Sequence, residues 1–174
     1  MPFRPRLGFP FLTALFLDAA AVPAARAQPA APSPSSDSAA VAATIRALFT
    51  ATERKDVAAL DTLYAGGSLT VIEGAGIDRT WAGYRDHHLA PELREMRDLH
   101  YRASDIEAHV AGDVAWAVFR YGLRATVDGH AADMVGRGTA VLERRGRGAS
   151  AHWVVRHTHT SGRARRPGDP PLGA

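Results

Sequence analysis

Residues 99–145 read LHYRASDIEAHVAGDVAWAVFRYGLRATVDGHAADMVGRGTAVLERR, and their pattern is the clearest indication of the fold. Apolar side chains recur at every second position along much of it, which is the period of a β-strand with one buried face. Gly112-Asp113 and Asp128-Gly129 are residue pairs typical of two-residue hairpin turns. The stretch therefore predicts an antiparallel meander, which the next alternating run extends. The predicted strands are Leu99 to Ala111, Val114 to Val127, Ala131 to Arg145 and Ser150 to Thr160.

The segment before these strands has helical periodicity instead. An apolar stripe predicts a first helix that ends near Arg54, and its members are Val41, Ile45, Leu48 and Phe49. Asp56 caps a short second helix, and a strand from Ser68 to Glu73 follows. A third helix begins near Trp81 and is kinked or restarted by Pro91. This order predicts an α+β fold whose helices pack on one face of a curved antiparallel sheet.

Three local strings are distinctive, namely YRDHHLAPEL (84–93), GRGTAVLERR (136–145) and WVVRHTHTSG (153–162). Together with the order of elements, they resemble exported SnoaL-like members of the nuclear transport factor 2-like superfamily. The last string also resembles the closing strand of the calcium/calmodulin-dependent kinase II association domain. The resemblance implies a cone-shaped sheet with three N-terminal helices on its concave face. It leaves the function open, because the superfamily includes isomerases, cyclases, dehydratases, binding domains and oligomerisation domains.

The two ends of the chain differ in composition from the middle. Arg4 and Arg6 precede an apolar run too short to span a bilayer, and Ala25-Arg26-Ala27 matches a signal peptidase site. We therefore expect a signal peptide at 1–27, a Pro/Ala/Ser linker at 28–37, one folded domain at 38–161 and a disordered basic tail at 162–174. The mature protein is then expected to be periplasmic or secreted, with no membrane span after cleavage.

Charge and cysteine content exclude several classes of function. The full chain carries 21 basic and 18 acidic residues, and loss of the predicted signal peptide leaves 18 against 17. A mature net charge of +1 gives no electrostatic footprint for a nucleic acid, so no nucleic-acid partner is expected. The chain has no cysteine, which excludes disulfides, thiolate metal sites and cysteine nucleophiles.

The last predicted strand carries the first group of candidate site residues. Strict alternation places His157, His159 and Ser161 on one side of it, together with Trp153 and Val155. By resemblance to the superfamily that side faces the cavity, so both histidines would contact a ligand and could act as general acid or base. The alternative is that one or both form buried hydrogen bonds that hold the end of the strand.

Strand pairing by count gives a second candidate group. Counting back from the Asp128-Gly129 turn places Arg120 opposite Arg137, with Thr139 two residues further along the strand. Two directly opposed arginines repel each other unless an anion or a carboxylate lies between them. They form either a cationic patch that binds a carboxylate or phosphate, or a pair that is neutralised by neighbouring carboxylates or lies on the outer face.

The predicted third helix presents one face that carries Trp81, Tyr84, His88 and Glu92. Trp81, Tyr84 and His88, together with Tyr101 on the following strand, are candidate ligand contacts. His88 and Glu92 could also chelate a metal with His157 or His159. The chain has no HExxH pattern, however, so neither a metal nor a cofactor is predicted.

Glu73 ends the first predicted strand, where ketosteroid isomerases of the superfamily carry their carboxylate base. By that resemblance it could abstract a proton next to a carbonyl group. The first-helix tyrosine that stabilises the enolate in those enzymes has no counterpart, because apolar residues occupy that stretch. Only Tyr64, Tyr84 or Tyr101 could replace it.

The predicted strand Val114 to Val127 is apolar on both sides, with Trp116 and Val118 opposite the core side. Such a strand is normally covered on both faces, so we expect a homodimer through the outer face of the sheet. Three functions stay open, in this order. They are a module that binds a small apolar or weakly anionic molecule, a lyase, isomerase or cyclase that uses Glu73 or a cavity histidine as general base, and an assembly domain.

Overall fold

The computed structural model describes residues 36–172, with the backbone alone for Ser68. The predicted signal peptide and nearly all of the predicted linker lie outside the described residues. Within them the predicted α+β fold is confirmed, since helical segments pack on one face of a curved six-stranded sheet. No helix in this part of the chain combines the length and the apolar character needed to cross a membrane.

The main helical segments precede the long strands. They are α1 (Ser36–Glu53), α2 (Val57–Leu63), α3 (Trp81–Tyr84) and α4 (Ala90–Glu95), with a π-helical turn at Arg85–Leu89 between α3 and α4. Asp56 caps α2 as expected, because its side chain accepts a hydrogen bond from the Ala59 amide at 3.0 Å. Pro91 lies in the first turn of α4, immediately after the π-helical turn.

The strands are β1 (Ser68–Glu73), β2 (Gly76–Thr80), β3 (Arg97–Ala111), β4 (Val114–Val127), β5 (His130–Arg145) and β6 (His152–Ala164). Their order in the sheet is β2-β1-β6-β5-β4-β3. Strands β3 to β6 form the predicted antiparallel meander, and both predicted two-residue turns are present. The sheet is mixed rather than wholly antiparallel, because β1 runs parallel to β6.

Strand β2 was not predicted. The two glycines after β1 indicated only a break before a helix, whereas the chain turns at Gly74, whose φ is +57°, and pairs β2 with β1. β2 is mostly polar, and its one large apolar residue, Ile77, is 54% exposed. A strand that buries so little has no alternating pattern for a sequence analysis to detect.

The core lies between α1 and the inner face of the sheet. Helix α1 contributes Val41, Ile45 and Phe49, none more than 3% exposed. Strand β4 contributes Ala117 and Phe119 from alternate positions, and these are equally buried. The stripe and the alternation in the sequence therefore predicted the two surfaces that meet in the core.

Two aromatic rings of β4 lie against glycines of β5. A Cβ atom added to Gly138 would lie 2.4 Å from the ring of Phe119, and one added to Gly136 would lie 2.2 Å from the ring of Tyr121. No side chain fits at either position, so glycine is needed for close approach. This packing keeps the ring of Tyr121 close to the inner face of the sheet.

Strand β6 contains a bulge. Val155 pairs with Leu142 and His157 pairs with Val141, so Arg156 is the additional residue of β6 in this register. The extra residue reverses the alternation beyond it, and Thr158 rather than His157 continues the buried side after Val155.

Strand β6 also extends past the predicted domain boundary. It reaches Ala164, so residues 162–164 belong to the sheet rather than to a disordered tail. The segment that follows is attached to β5, because the Arg165 side chain donates a hydrogen bond to Asp133 at 2.7 Å.

Candidate functional site

The inner face of the sheet and the helical segments enclose a cavity of about 410 Å³. Its wall is mostly apolar and comes from α1, the α3–α4 segment and the long strands. Within the described part of the chain, the charged groups of this wall are the carboxylates of Glu73 and Glu92. Its phenol groups belong to Tyr64, Tyr84, Tyr101 and Tyr121.

Glu73 ends β1 beside β6, where its backbone is in register with Thr160. Its Oε1 atom accepts hydrogen bonds from the hydroxyls of Tyr84 at 3.3 Å and Thr160 at 3.5 Å. The side chain is 32% exposed. Burial raises the pKa of the Glu73 carboxyl above its ordinary value, although the charge of His88 opposes the effect. A carboxylate with a raised pKa at an apolar cavity is a suitable proton acceptor.

His88 lies in the π-helical turn, among three carboxylates. Its Nε2 atom is 3.1 Å from Oε1 of Glu92 and 3.5 Å from Oε2 of Glu73. Its Nδ1 atom is 3.3 Å from Oδ2 of Asp78 on β2. Burial lowers the pKa of the His88 imidazole, but the hydrogen bond to Asp78 and the neighbouring carboxylates outweigh burial, so the pKa is raised. His88 thus links the carboxylate of β1 to that of β2.

The same group has the spacing of a metal site. Glu73, His88 and Glu92 each offer one ligand atom, and these atoms lie within 4.8 Å of one another. One imidazole and two carboxylates form a ligand set that first-row divalent metals use. The pairing of His88 with Glu92 agrees with the sequence analysis, but the third member is Glu73 and not His157 or His159.

The phenol groups supply hydrogen-bond donors to the cavity. Tyr84 donates to Glu73, whereas the hydroxyls of Tyr64 and Tyr101 bond to no described residue. No fully buried side-chain polar atom in the described part of the chain lacks a partner, so these two hydroxyls open into the cavity. Burial raises the pKa of Tyr64 and of Tyr101, so both phenols stay protonated and can donate to a ligand.

Trp81 was predicted as a ligand contact, but it is not among the residues that line the cavity. Its indole Nε1 donates to Oδ1 of Asp61 at 2.6 Å, and its ring stacks on Tyr64 at 4.4 Å between centroids. Arg85 holds the same Asp61 oxygen at 3.0 Å. Trp81 therefore supports the wall of the cavity from behind Tyr64.

His157 and His159 lie on the outer face of the sheet, so the prediction that they project into the cavity is wrong. Their partners on β5 are Val141 and Thr139, and Thr139 pairs in turn with Val118, which is 45% exposed. Thr139 also lies on the outer face, because its partner Val118 lies there. The bulge in β6 is the physical cause of the position of the two histidines, because it shifts every later residue of β6 to the opposite side.

Arg120 and Arg137 are directly opposed, as the strand count predicts. Together with Ser161 they line a second pocket, of about 290 Å³, on the outer face rather than in the cavity. The predicted contacts that do line the cavity are Glu73, Tyr84 and Tyr101, with His88 beside Glu73.

Several residues of the site were not predicted from the sequence. Thr158 and Thr160 face the cavity in place of the two histidines, and only recognition of the bulge would have revealed them. Tyr121 was predicted to lie on the buried side of β4 as a core residue, whereas in the structure it lines the cavity. Asp78 carries no signal in the sequence, because it lies on the unpredicted strand β2.

Comparisons with known proteins fit this architecture. The family profile described as SnoaL-like domain matches residues 41–164. A candidate ketosteroid isomerase from Shewanella frigidimarina superposes with a TM-score of 0.60 at 22% identity, over 72% of this chain and 96% of that chain. A candidate dehydratase of the NTF2-like family from Streptomyces avermitilis superposes with a TM-score of 0.61 at 18% identity, over 71% of this chain and 94% of that chain.

A third similar structure is the CaMKII hub of S. rosetta, with a TM-score of 0.60 at 18% identity, over 75% of this chain and 100% of that chain. No curated protein matches the sequence. At these identities the solved structures show a shared fold, and the resemblance of the closing strand to the kinase association domain agrees with it.

Proposed function

The chain belongs to the SnoaL-like domain family, and on that premise we propose that it is an enzyme that moves a proton on a carbon atom next to a carbonyl group, in an isomerisation or a dehydration. The observation that carries the proposal is Glu73, a carboxylate at an apolar cavity within hydrogen-bond distance of Tyr84 and Thr160. Two similar structures come from a candidate isomerase and a candidate dehydratase. Binding of a small molecule, the function favoured by the sequence, is the first step of this reaction.

The cavity suits a small and mostly apolar substrate with one carbonyl group. A volume of about 410 Å³ lies within the range of small-molecule sites. Among the described residues, the lining contains two carboxylates and no basic residue. A strongly anionic molecule is therefore disfavoured there, which narrows the ligand class expected from the sequence to neutral molecules.

In the proposed reaction the Glu73 carboxylate removes a proton from the carbon next to the carbonyl, and the electron pair of that bond moves toward the carbonyl oxygen. The hydroxyl of Tyr101 or Tyr64 donates a hydrogen bond to the developing enolate oxygen. Protonated Glu73 then returns the proton to the γ carbon in an isomerisation, or to a leaving β-hydroxyl group in a dehydration. His88, held by Asp78, keeps the Glu73 carboxylate oriented.

Proton exchange tests the proposal without the natural substrate. The mature protein is incubated in D₂O with small cyclic ketones and β,γ-unsaturated ketones, and deuterium next to the carbonyl is measured by NMR. Glu73→Gln should lower the exchange rate roughly 100-fold or more, the typical contribution of a general base. Glu107→Gln is the matched control, because it removes an exposed carboxylate from the other face of the sheet.

An unchanged exchange rate in Glu73→Gln would contradict the proposal. Loss of wild-type exchange in EDTA, with recovery on addition of Zn²⁺, would instead make the Glu73, His88 and Glu92 group a metal site. Thermal stabilisation by these ketones with no exchange would leave a binding module as the function.

We also propose that two copies of the chain pair through the outer face of the sheet. Val114, Trp116 and Val118 are 49%, 46% and 45% exposed on the same side of β4, and apolar groups clustered in this way usually mark an interface. Trp116→Asp should therefore convert a dimer into a monomer in light scattering. Ala47→Asp, on the exposed side of α1, adds the same charge elsewhere and should leave the dimer intact. A monomeric wild type at micromolar concentration would disprove the pairing.

Export is a further proposal, and it rests on the signal-peptide pattern alone. Amino-terminal sequencing of protein recovered from a periplasmic extract or the medium should begin at Gln28. Full-length protein that starts at Met1 and stays in the cytoplasm would contradict it.

A further inference from the structure

The outer face of the sheet carries a second pocket, at the end where β6 continues into the C-terminal segment. Its volume is about 290 Å³. Two adjacent rows of paired residues form its floor. One row contains Ser104, Arg120, Arg137 and Ser161, and the next contains Gly122, Val135 and Arg163.

Positive charge is concentrated in this pocket. Arg120 and Arg137 are opposite each other on neighbouring strands, a placement in which like charges are destabilising. Arg120 has a carboxylate 3.3 Å away, that of Asp105, which is itself largely exposed. Arg137 forms no ion pair with any described residue, so its guanidinium is available to an anion in the pocket.

The C-terminal segment makes the wall opposite these arginines. Arg163 binds both carboxylate oxygens of Asp169 at 2.7 Å, and Arg165 binds Asp133 on β5 at 2.7 Å. These contacts place Pro170 and Pro171 at the edge of the pocket. The C-terminal segment therefore makes the site concave. Without it, the two arginines would lie on an open sheet surface.

We propose that this pocket binds a small oxyanion, either a carboxylate or a phosphate group, between Arg120 and Arg137. An oxyanion there accepts charge-assisted hydrogen bonds from both guanidinium groups and removes their mutual repulsion. The hydroxyls of Ser104 and Ser161 flank the two arginines in the same row and supply further donors. The site lies on the opposite face of the sheet from Glu73, so it does not depend on the proposed enzymatic function.

Isothermal titration calorimetry at low ionic strength tests the proposal, with inorganic pyrophosphate and succinate as the phosphate and carboxylate probes. Saturable one-site binding of at least one probe is expected. Arg137→Gln and Arg120→Gln should each weaken it at least tenfold, which corresponds to about 1.4 kcal/mol. Arg46→Gln is the matched control, because it removes the same charge from the exposed side of α1 and should change the affinity less than twofold.

Absence of saturable binding to the wild type would overturn the proposal. Equal weakening by Arg46→Gln and Arg137→Gln would also overturn it, because binding would then follow net charge only. Circular dichroism of each variant checks that the exposed substitutions leave the fold intact. Glu73→Gln should bind the probe like the wild type, so a failure of the proposed reaction and a failure of this site give different results.

Discussion

Replacement of Gly136 by alanine tests how the wall of the cavity is built. The added methyl carbon would lie 2.2 and 2.4 Å from two ring carbons of Tyr121 and 2.5 Å from the backbone oxygen of Ser161. Non-bonded carbon atoms prefer separations of about 3.5–4.0 Å, so the ring must move by more than about 1 Å. The Ser161 oxygen belongs to a paired strand and cannot move far by itself. Overpacking costs roughly 1–3 kcal/mol, and the upper end is expected because one obstructing group is backbone.

The expected change is therefore a loss of about 3 kcal/mol in the free energy of unfolding. For a domain of this size each kcal/mol shifts the midpoint of thermal unfolding by roughly 3 °C, so a decrease near 9 °C is expected. Urea denaturation followed by circular dichroism measures the free energy directly. Displacement of Tyr121 should also change the cavity and lower the proton-exchange rate.

Gly66→Ala is the control for this experiment. No atom lies within 4 Å of a Cβ added at Gly66, and its φ is outside the left-handed region. Its effect should be small, or a gain of about 0.4–1 kcal/mol from the reduced freedom of the unfolded chain. If Gly136→Ala unfolds at the same urea concentration as Gly66→Ala, then the ring of Tyr121 does not pack against β5 in the wall of the cavity.

Three further substitutions test the polar groups of the site. Burial raises the pKa of Glu73, so folding disfavours its ionised form, and Glu73→Gln should be more stable than the wild type at neutral pH. That difference should shrink as the pH falls through the folded-state pKa of Glu73, and a difference independent of pH would contradict the burial. Because the pKa of His88 is raised, its protonation stabilises the fold below about pH 6.5, and this contribution is lost as the pH rises through the folded-state pKa. Asp78→Asn removes one cause and should lower the pKa of His88 in an NMR titration, whereas an unchanged pKa would exclude the contact. Trp81→Phe removes the hydrogen bond to Asp61 and should cost about 1.5 kcal/mol in urea denaturation, as expected for a bond to a charged acceptor. An unchanged urea midpoint would mean that this bond contributes nothing to stability.

The fold could be predicted from the sequence because its long elements bury one face each. The stripe on α1 and the alternation on β3 to β5 follow directly from that burial, and the Asp128-Gly129 turn set the register that pairs Arg120 with Arg137. The parallel pairing of β1 with β6 joins segments far apart in the chain, and no local signal marks such a contact.

The site was predicted only in part, for reasons that lie in two local irregularities. Glu73 and Tyr84 were found because they occupy regular elements, a strand end and a helix face. His157 and His159 were placed on the wrong face because strict alternation fails at a bulge. The residue type of Arg156 does not indicate that it is the extra residue of the strand. Asp78 could not be found, since its strand buries almost nothing.

The π-helical turn at Arg85–Leu89 makes the direction of the His88 side chain depend on a single inserted residue. A π turn contains one residue more than an α-helical turn. Each residue of an α-helix rotates the side-chain direction by about 100° about the helix axis. Leu93 in α4 and Tyr84 in α3 are at most 4% exposed and anchor the two flanking helices in the core. Deletion of one residue between Tyr84 and His88 would rotate His88 away from Glu73 while these anchors stay buried. A single insertion or deletion in this turn therefore makes or breaks the histidine–carboxylate pair, while Tyr84 and Leu93 stay in the core.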